Sequence, residues 1–195
     1  DPQRDTQTSA APKTQTNFST KVLIASVVAL LWMLLYGLNH WLFSVTEVNS
    51  FISWIFLPAA LRMLAVMACG WVGAVGLFVG AMLTNQTDPT GAFGDGVALA
   101  FLSATGPMAA FWFCTRLLNL SKDLSGLTAR QLLVFALTGA LLNAVPHNIY
   151  FYFSGRTSSP IDVLVPMLVG DLIGTLIVLY VASLALRFVS QQNGR

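Results

Sequence analysis

Charge is what this sequence has least of. Asp, Glu, Lys and Arg make up 9% of its 195 residues, against about 25% in soluble domains. With 55% hydrophobic residues, that balance excludes a water-soluble core. Cysteine is scarce as well. Cys69 and Cys114 form no Cys-x-x-Cys pair and no Cys-His cluster, which argues against haem attachment, iron–sulfur centres and structural zinc. Both thiols fall near the inner ends of their apolar runs, so free thiols are expected. His40 and His147 are the two histidines, and they could share a metal only if their segments met near one face. Gly-x-Ser-x-Gly, His-Glu-x-x-His and a phosphate-binding Gly loop with Lys are all missing. Neither enzymatic chemistry nor a cofactor is expected. The absence of a long basic amphipathic segment gives no nucleic-acid partner.

What the sequence has is apolar runs. They predict an all-α, polytopic membrane bundle of about six spans at 22–43, 51–69, 71–84, 95–118, 129–153 and 160–187. The third is short for a crossing, and Gly70-Trp71 leaves room only for a tight hairpin between spans two and three. Residues 1–20 are polar and rich in Thr, Gln and Ser, so a disordered tail precedes a membrane domain over 21–188; a short tail follows at 189–195. The first residues do not resemble a signal peptide. The chain opens on Asp1, so removal of an initiator residue is expected.

Positive charge orients the bundle. Arg4, Lys13, Lys21, Arg116, Lys122, Arg130, Arg187 and Arg195 fall on one side, Arg156 on the other, and Arg62 inside an apolar run. Glu47, Asp88, Asp95 and Asp162 share the side of Arg156. This pattern predicts both ends in the cytoplasm. Helix ends agree: Thr128 with Gln131 matches a capping box, and Ser159-Pro160 supplies a cap and a first-turn proline. Trp54, Tyr150 and Tyr152 belong to an outer aromatic belt, and Trp71 and Trp112 to an inner one.

Two charges stand inside apolar runs. Arg62 and Asp171 each lie about 17 Å from the outer ends of their spans, and Asn143 about 15 Å. A lone charge at such depth costs roughly 2.5–3.5 kcal/mol on insertion scales, so the pair is a candidate site. Pro58, Pro107, Pro146 and Pro166 are expected to kink the surrounding spans, and His147-Asn148 extends the polar track outward. The expected site is an outward-facing cavity. Arg62 would hold an anionic group, Asn143 and His147 would orient it, and Asp171 would place Arg62. Two structural readings stand beside this one. The pair could simply fix helix register, or Arg62 could snorkel to the inner face. The small-residue pairs Ala25/Ala29, Gly76/Gly80 and Gly170/Gly174 favour close helix approach, and Asn85-Gln86-Thr87 matches a glycosylation triplet by pattern alone.

Leu57-Pro58-Ala59-Ala60, Gly76-x-x-x-Gly80, Arg116-Leu117-Leu118 and Gly170-Asp171-Leu172-Ile173-Gly174 together resemble the bacterial membrane-associated sensor domain of the first type. That resemblance implies a multi-pass input module of the bacterial inner membrane that signals through a protein partner. The Ala25-x-x-x-Ala29 pair in a six-span, 195-residue chain is similar to the substrate-binding components of energy-coupling-factor vitamin transporters. That likeness implies small-molecule capture and docking on a coupling subunit. A structural accessory subunit of a larger membrane complex is the third expectation.

Overall fold

The computed structural model describes residues 17–49, 52–85, 93–116 and 128–193. Most of the expected N-terminal tail, with Arg4 and Lys13, lies outside them, as do Asp88, Lys122, Arg195 and part of the glycosylation triplet. Helix α1 covers Phe18–Phe43, α2 Pro58–Asn85, α3 Phe93–Arg116, α4 Ala129–Phe153 and α5 Pro160–Asn193. All five are long and apolar enough to cross a membrane. A 3-10 turn at Ser44–Thr46 leads into a short antiparallel pair, β1 (Glu47–Asn49) and β2 (Ile52–Ser53).

The break foreseen at Gly70 lies within α2. Gly70 has φ 57° and ψ −134°, outside helical values. A straight helix would hold positions 65 and 73 about 12 Å apart. Instead, a Cβ on Gly73 would collide with the Ala65 carbonyl. Ala65 and Val66 also share one buried cluster with Leu77 and Ala81. The chain therefore turns back on itself at Gly70, and α2 is two short arms, 58–69 and 71–85, packed side by side. Glycine permits this because its missing Cβ removes the penalty for positive φ.

α1 braces both arms. Lys21 Nζ lies 5.5 Å from the Trp71 ring centre, and Asn39 Oδ1 accepts a 2.8 Å bond from Leu57 N. Gly76 and Gly80 seat α1 closely, since a Cβ on either would strike Ala25, Val28 or Trp32. Trp32 Nε1 donates to Thr84 Oγ1 at 3.0 Å. At the start of α4, Gln131 N donates to Thr128 Oγ1 and Thr128 N donates to Gln131 Oε1, completing the anticipated capping box.

Three expectations need correction. The second apolar run is not helical over its first described residues, 52–57. They hold β2, a bend at Trp54 and an irregular stretch ending in a turn, and α2 begins at Pro58. A residue before proline avoids helical geometry, and this stretch has other bonding partners: Phe56 N donates to Gly170 O at 3.0 Å. Pro58 consequently opens a helix and kinks none. Pro107 does not break its span, because α3 stays helical through it.

The glycines of α5 explain how a non-helical segment can lie inside a helical bundle. A Cβ at Gly170 would meet the Ser53 carbonyl, and one at Gly174 the Phe56 carbonyl. Gly174→Ala is expected to destabilise the detergent-solubilised protein by about 1–3 kcal/mol through overpacking against backbone. Gly37→Ala, with open space around it, should be neutral or stabilise by up to about 1 kcal/mol. Unfolding midpoints of the two variants check this, and equal effects would contradict the packing.

Candidate functional site

The backbone brings the predicted polar residues together. Arg62 projects from the first arm of α2, Asn143 and His147 from α4, and Asp171 from α5. All four are buried, with Arg62 4% and Asp171 3% exposed. Arg62 Nη1 donates to Asp171 Oδ2 at 2.9 Å, and Asn143 Nδ2 donates to the same oxygen at 2.8 Å. His147 Nδ1 lies 2.8 Å from the Asn143 carbonyl oxygen. A carbonyl only accepts, so Nδ1 carries a proton. His147 Nε2 lies 3.3 Å from Ser103 Oγ of α3. Four helical segments are thus joined by one chain of polar contacts. Arg62 does not snorkel to a surface.

Aromatic rings enclose the guanidinium. Arg62 Cζ lies 5.4 Å from the Trp32 ring centre and 4.9 Å from that of Phe56. Such contacts stabilise a desolvated cation by about 2 kcal/mol. Phe56 belongs to the non-helical segment that the α5 glycines admit, so the backbone approach at Gly170 and Gly174 also positions a face of the site.

Arg62 lies at the floor of a small open cleft with about 50 Å³ of water-accessible space. Trp32, Tyr36, Phe56 and Phe151 wall it, His147 and Ser103 line it more deeply, and His40, Glu47 and Asn85 stand among its lining. Asn143 and Asp171 lie behind the floor. Asp171 faces a second, water-sized space of about 10 Å³ bordered by Met63, Pro107, Gly139 and Thr175. The Arg62–Asp171 pair therefore stands between the two spaces. His40 and His147 both line the larger cleft, yet among the described residues no group of three His, Cys, Asp or Glu could hold a metal ion.

Not all hydrogen-bonding capacity in this network is used. Arg62 Nε, Asn143 Oδ1 and Asn148 Oδ1 are buried without a hydrogen-bond partner. Buried polar groups are nearly always paired; of these three residues Arg62 lines the cleft, and Asn143 stands behind it. The charge of Arg62, in contrast, is largely spent. With an effective dielectric of about 20, an anion about 4 Å from the guanidinium gains roughly 4 kcal/mol. The same anion about 7 Å from Asp171 loses roughly 2 kcal/mol. Removing it from water costs several kcal/mol more.

Sequence reasoning missed the aromatic walls, Ser103 and Asn39. Trp32, Tyr36 and Phe56 are indistinguishable in sequence from lipid-facing aromatics, and only the fold turns them inward. Asn39, a lone amide late in the first span, could have been read as a helix-to-backbone tether.

The Asp171 carboxylate depends on the Asn143 amide. Asn143→Ala is expected to cost about 1.5–3 kcal/mol, as for a lost hydrogen bond to a buried charge. Asn143→Asp should cost more, because it sets a second carboxylate against the first. Denaturation of both variants at neutral pH orders them, and an Asp variant as stable as the Ala variant would contradict the contact. No family model, curated protein or solved structure matches the chain.

Proposed function

We propose that this chain is a six-pass sensory module of the bacterial inner membrane, with both ends cytoplasmic, that binds a small molecule in its outer cleft and signals through a protein partner. The observation that carries this reading is Arg62: a buried cation, held by Asp171 and ringed by aromatics, at the floor of an open cleft. A cleft with an apolar lining and a few convergent polar groups is the usual form of a small-molecule site. Helix α5 offers a route for the signal, because it carries Asp171 and continues to Asn193.

The turn at Gly70 supports counting the arms of α2 as two passes. The position of Lys21 beside Trp71 supports placing that turn at the inner face, with Arg116 and Arg130. At the opposite end Arg156 Nη2 donates to Asp95 Oδ2 at 2.8 Å, and Tyr150 donates to the same carboxylate. The lone outer cation is thereby neutralised, which leaves the inner side positive.

The packing of α1 favours sensing over transport. A transporter component would need its Ala-x-x-x-Ala face free to meet a coupling subunit. Here Ala29 is buried, and the Ala25 carbonyl lies against Gly76. A purely structural subunit would have no use for an open cleft with a charged floor.

Topology is checked with a membrane-impermeant maleimide on intact cells, in a Cys69→Ala background. Ser154→Cys should label from outside and Arg130→Cys only after permeabilisation; the reverse would refute the orientation. Native mass spectrometry from mild detergent should show the protein retaining a small molecule, and Arg62→Met should lose it. Retention unaffected by that change would remove the cleft from the function.

A further inference from the structure

Protein donors reach one side of the Asp171 carboxylate. Arg62 Nη1 and Asn143 Nδ2 both bond to Oδ2, at 2.9 and 2.8 Å. An ionised carboxylate has about four acceptor positions on its two oxygens. A buried ion pair offsets its desolvation only when the remaining positions are satisfied as well. The buried atoms without a partner include Arg62 Nε but neither oxygen of Asp171. Oδ1 therefore reaches open space, and the space that Asp171 lines is the small one behind Arg62.

That space matches one water in size and in chemistry. It offers about 10 Å³ of water-accessible room, and a water needs about 10–15 Å³ with two to four polar partners. Much of the lining is alkyl, from Met63, Pro107 and Ala140. Three lining residues are polar. Asp171 supplies an acceptor. Thr175 is buried one turn further along α5, on the same face. Arg62 is 4% exposed, and its Nε has no partner. An organic molecule does not fit. A metal ion would find one carboxylate and one hydroxyl beside a guanidinium, far short of the roughly six oxygens a hard cation takes.

We infer that this space binds a single water as a built part of the ion pair. The water donates to Asp171 Oδ1 and shares a hydrogen bond with Thr175 Oγ1, and its remaining lone pair faces Arg62. It supplies the carboxylate with a donor that the protein does not, and it extends the polar network one turn along α5. Arg62 also lines the outer cleft, so the guanidinium separates this water from those outside. The ion pair needs this water whatever the cleft binds.

A crystal or cryo-microscopy structure of the full chain, at a resolution that shows ordered waters, tests the site. One density peak should lie within about 3.2 Å of both Asp171 Oδ1 and Thr175 Oγ1. Unfolding midpoints of the solubilised protein test what the water does. Thr175→Val removes the hydroxyl with little change in volume and should lower the midpoint by roughly 2–10 °C. Thr175→Ser keeps the hydroxyl and should lose less. In an Arg62→Met, Asp171→Leu background no carboxylate needs the water, so Thr175→Val should be neutral or stabilising there. A map that resolves the neighbouring side chains but lacks the peak would overturn the site. So would a peak with the shorter contacts of a metal ion. An equal loss on Thr175→Val in the two backgrounds would overturn the water's tie to the ion pair.

Discussion

A guanidinium and a carboxylate, both withdrawn from solvent, constrain most of this architecture. Neither Arg62 nor Asp171 could be held alone at this depth. Each side chain has one acceptable place, within 2.9 Å of the other. That requirement fixes the first arm of α2 against α5, and the bond from Asn143 Nδ2 ties α4 to both. Apolar packing between helices in a bilayer is weakly directional, because lipid tails compete for the same surfaces. A buried ionic pair is directional. It sets register even where its net contribution to stability is small.

The same constraint accounts for the irregular backbone. For Arg62 to reach Asp171 with aromatic rings about it, Phe56 must lie against α5, and the chain before Pro58 runs there without helix. Non-helical backbone within a bundle needs partners for its amides and room for its atoms. The Gly170 carbonyl supplies a partner for Phe56 N, the Asn39 side chain caps Leu57 N, and the missing Cβ atoms of Gly170 and Gly174 provide the room. The Gly-Asp-x-x-Gly element thus has a physical reason for each of its three defined positions. Two admit a strand, and the third holds the cation beside it.

Much of this could be read from the sequence, and the remainder shows where such reading stops. Arg62, Asn143, His147 and Asp171 were recognisable because polar residues in apolar runs need partners, and their matched depths pointed to one another. The turn at Gly70 was visible because no loop separates the runs beside it. Hydropathy could not show that residues 52–57 are non-helical, since a short buried non-helical run and a buried helix are equally apolar. Depth alone could not show which side of Arg62 faces the cleft, so Asn143 and Asp171 were expected in its lining, whereas they stand behind it. The inward turn of Trp32, Tyr36 and Phe56 depends on tertiary packing that no local pattern encodes.

The central claim is that Arg62 and Asp171 act as a single buried unit. A double-mutant cycle with Arg62→Met, Asp171→Leu and the combined variant measures this directly in unfolding experiments on the solubilised protein. Either single change should cost about 3–5 kcal/mol, because it strands the remaining charge. The combined variant should be closer to wild type than the sum of the two, with a coupling energy of about 2 kcal/mol or more. A coupling near zero, with the two single effects simply additive, would contradict the account.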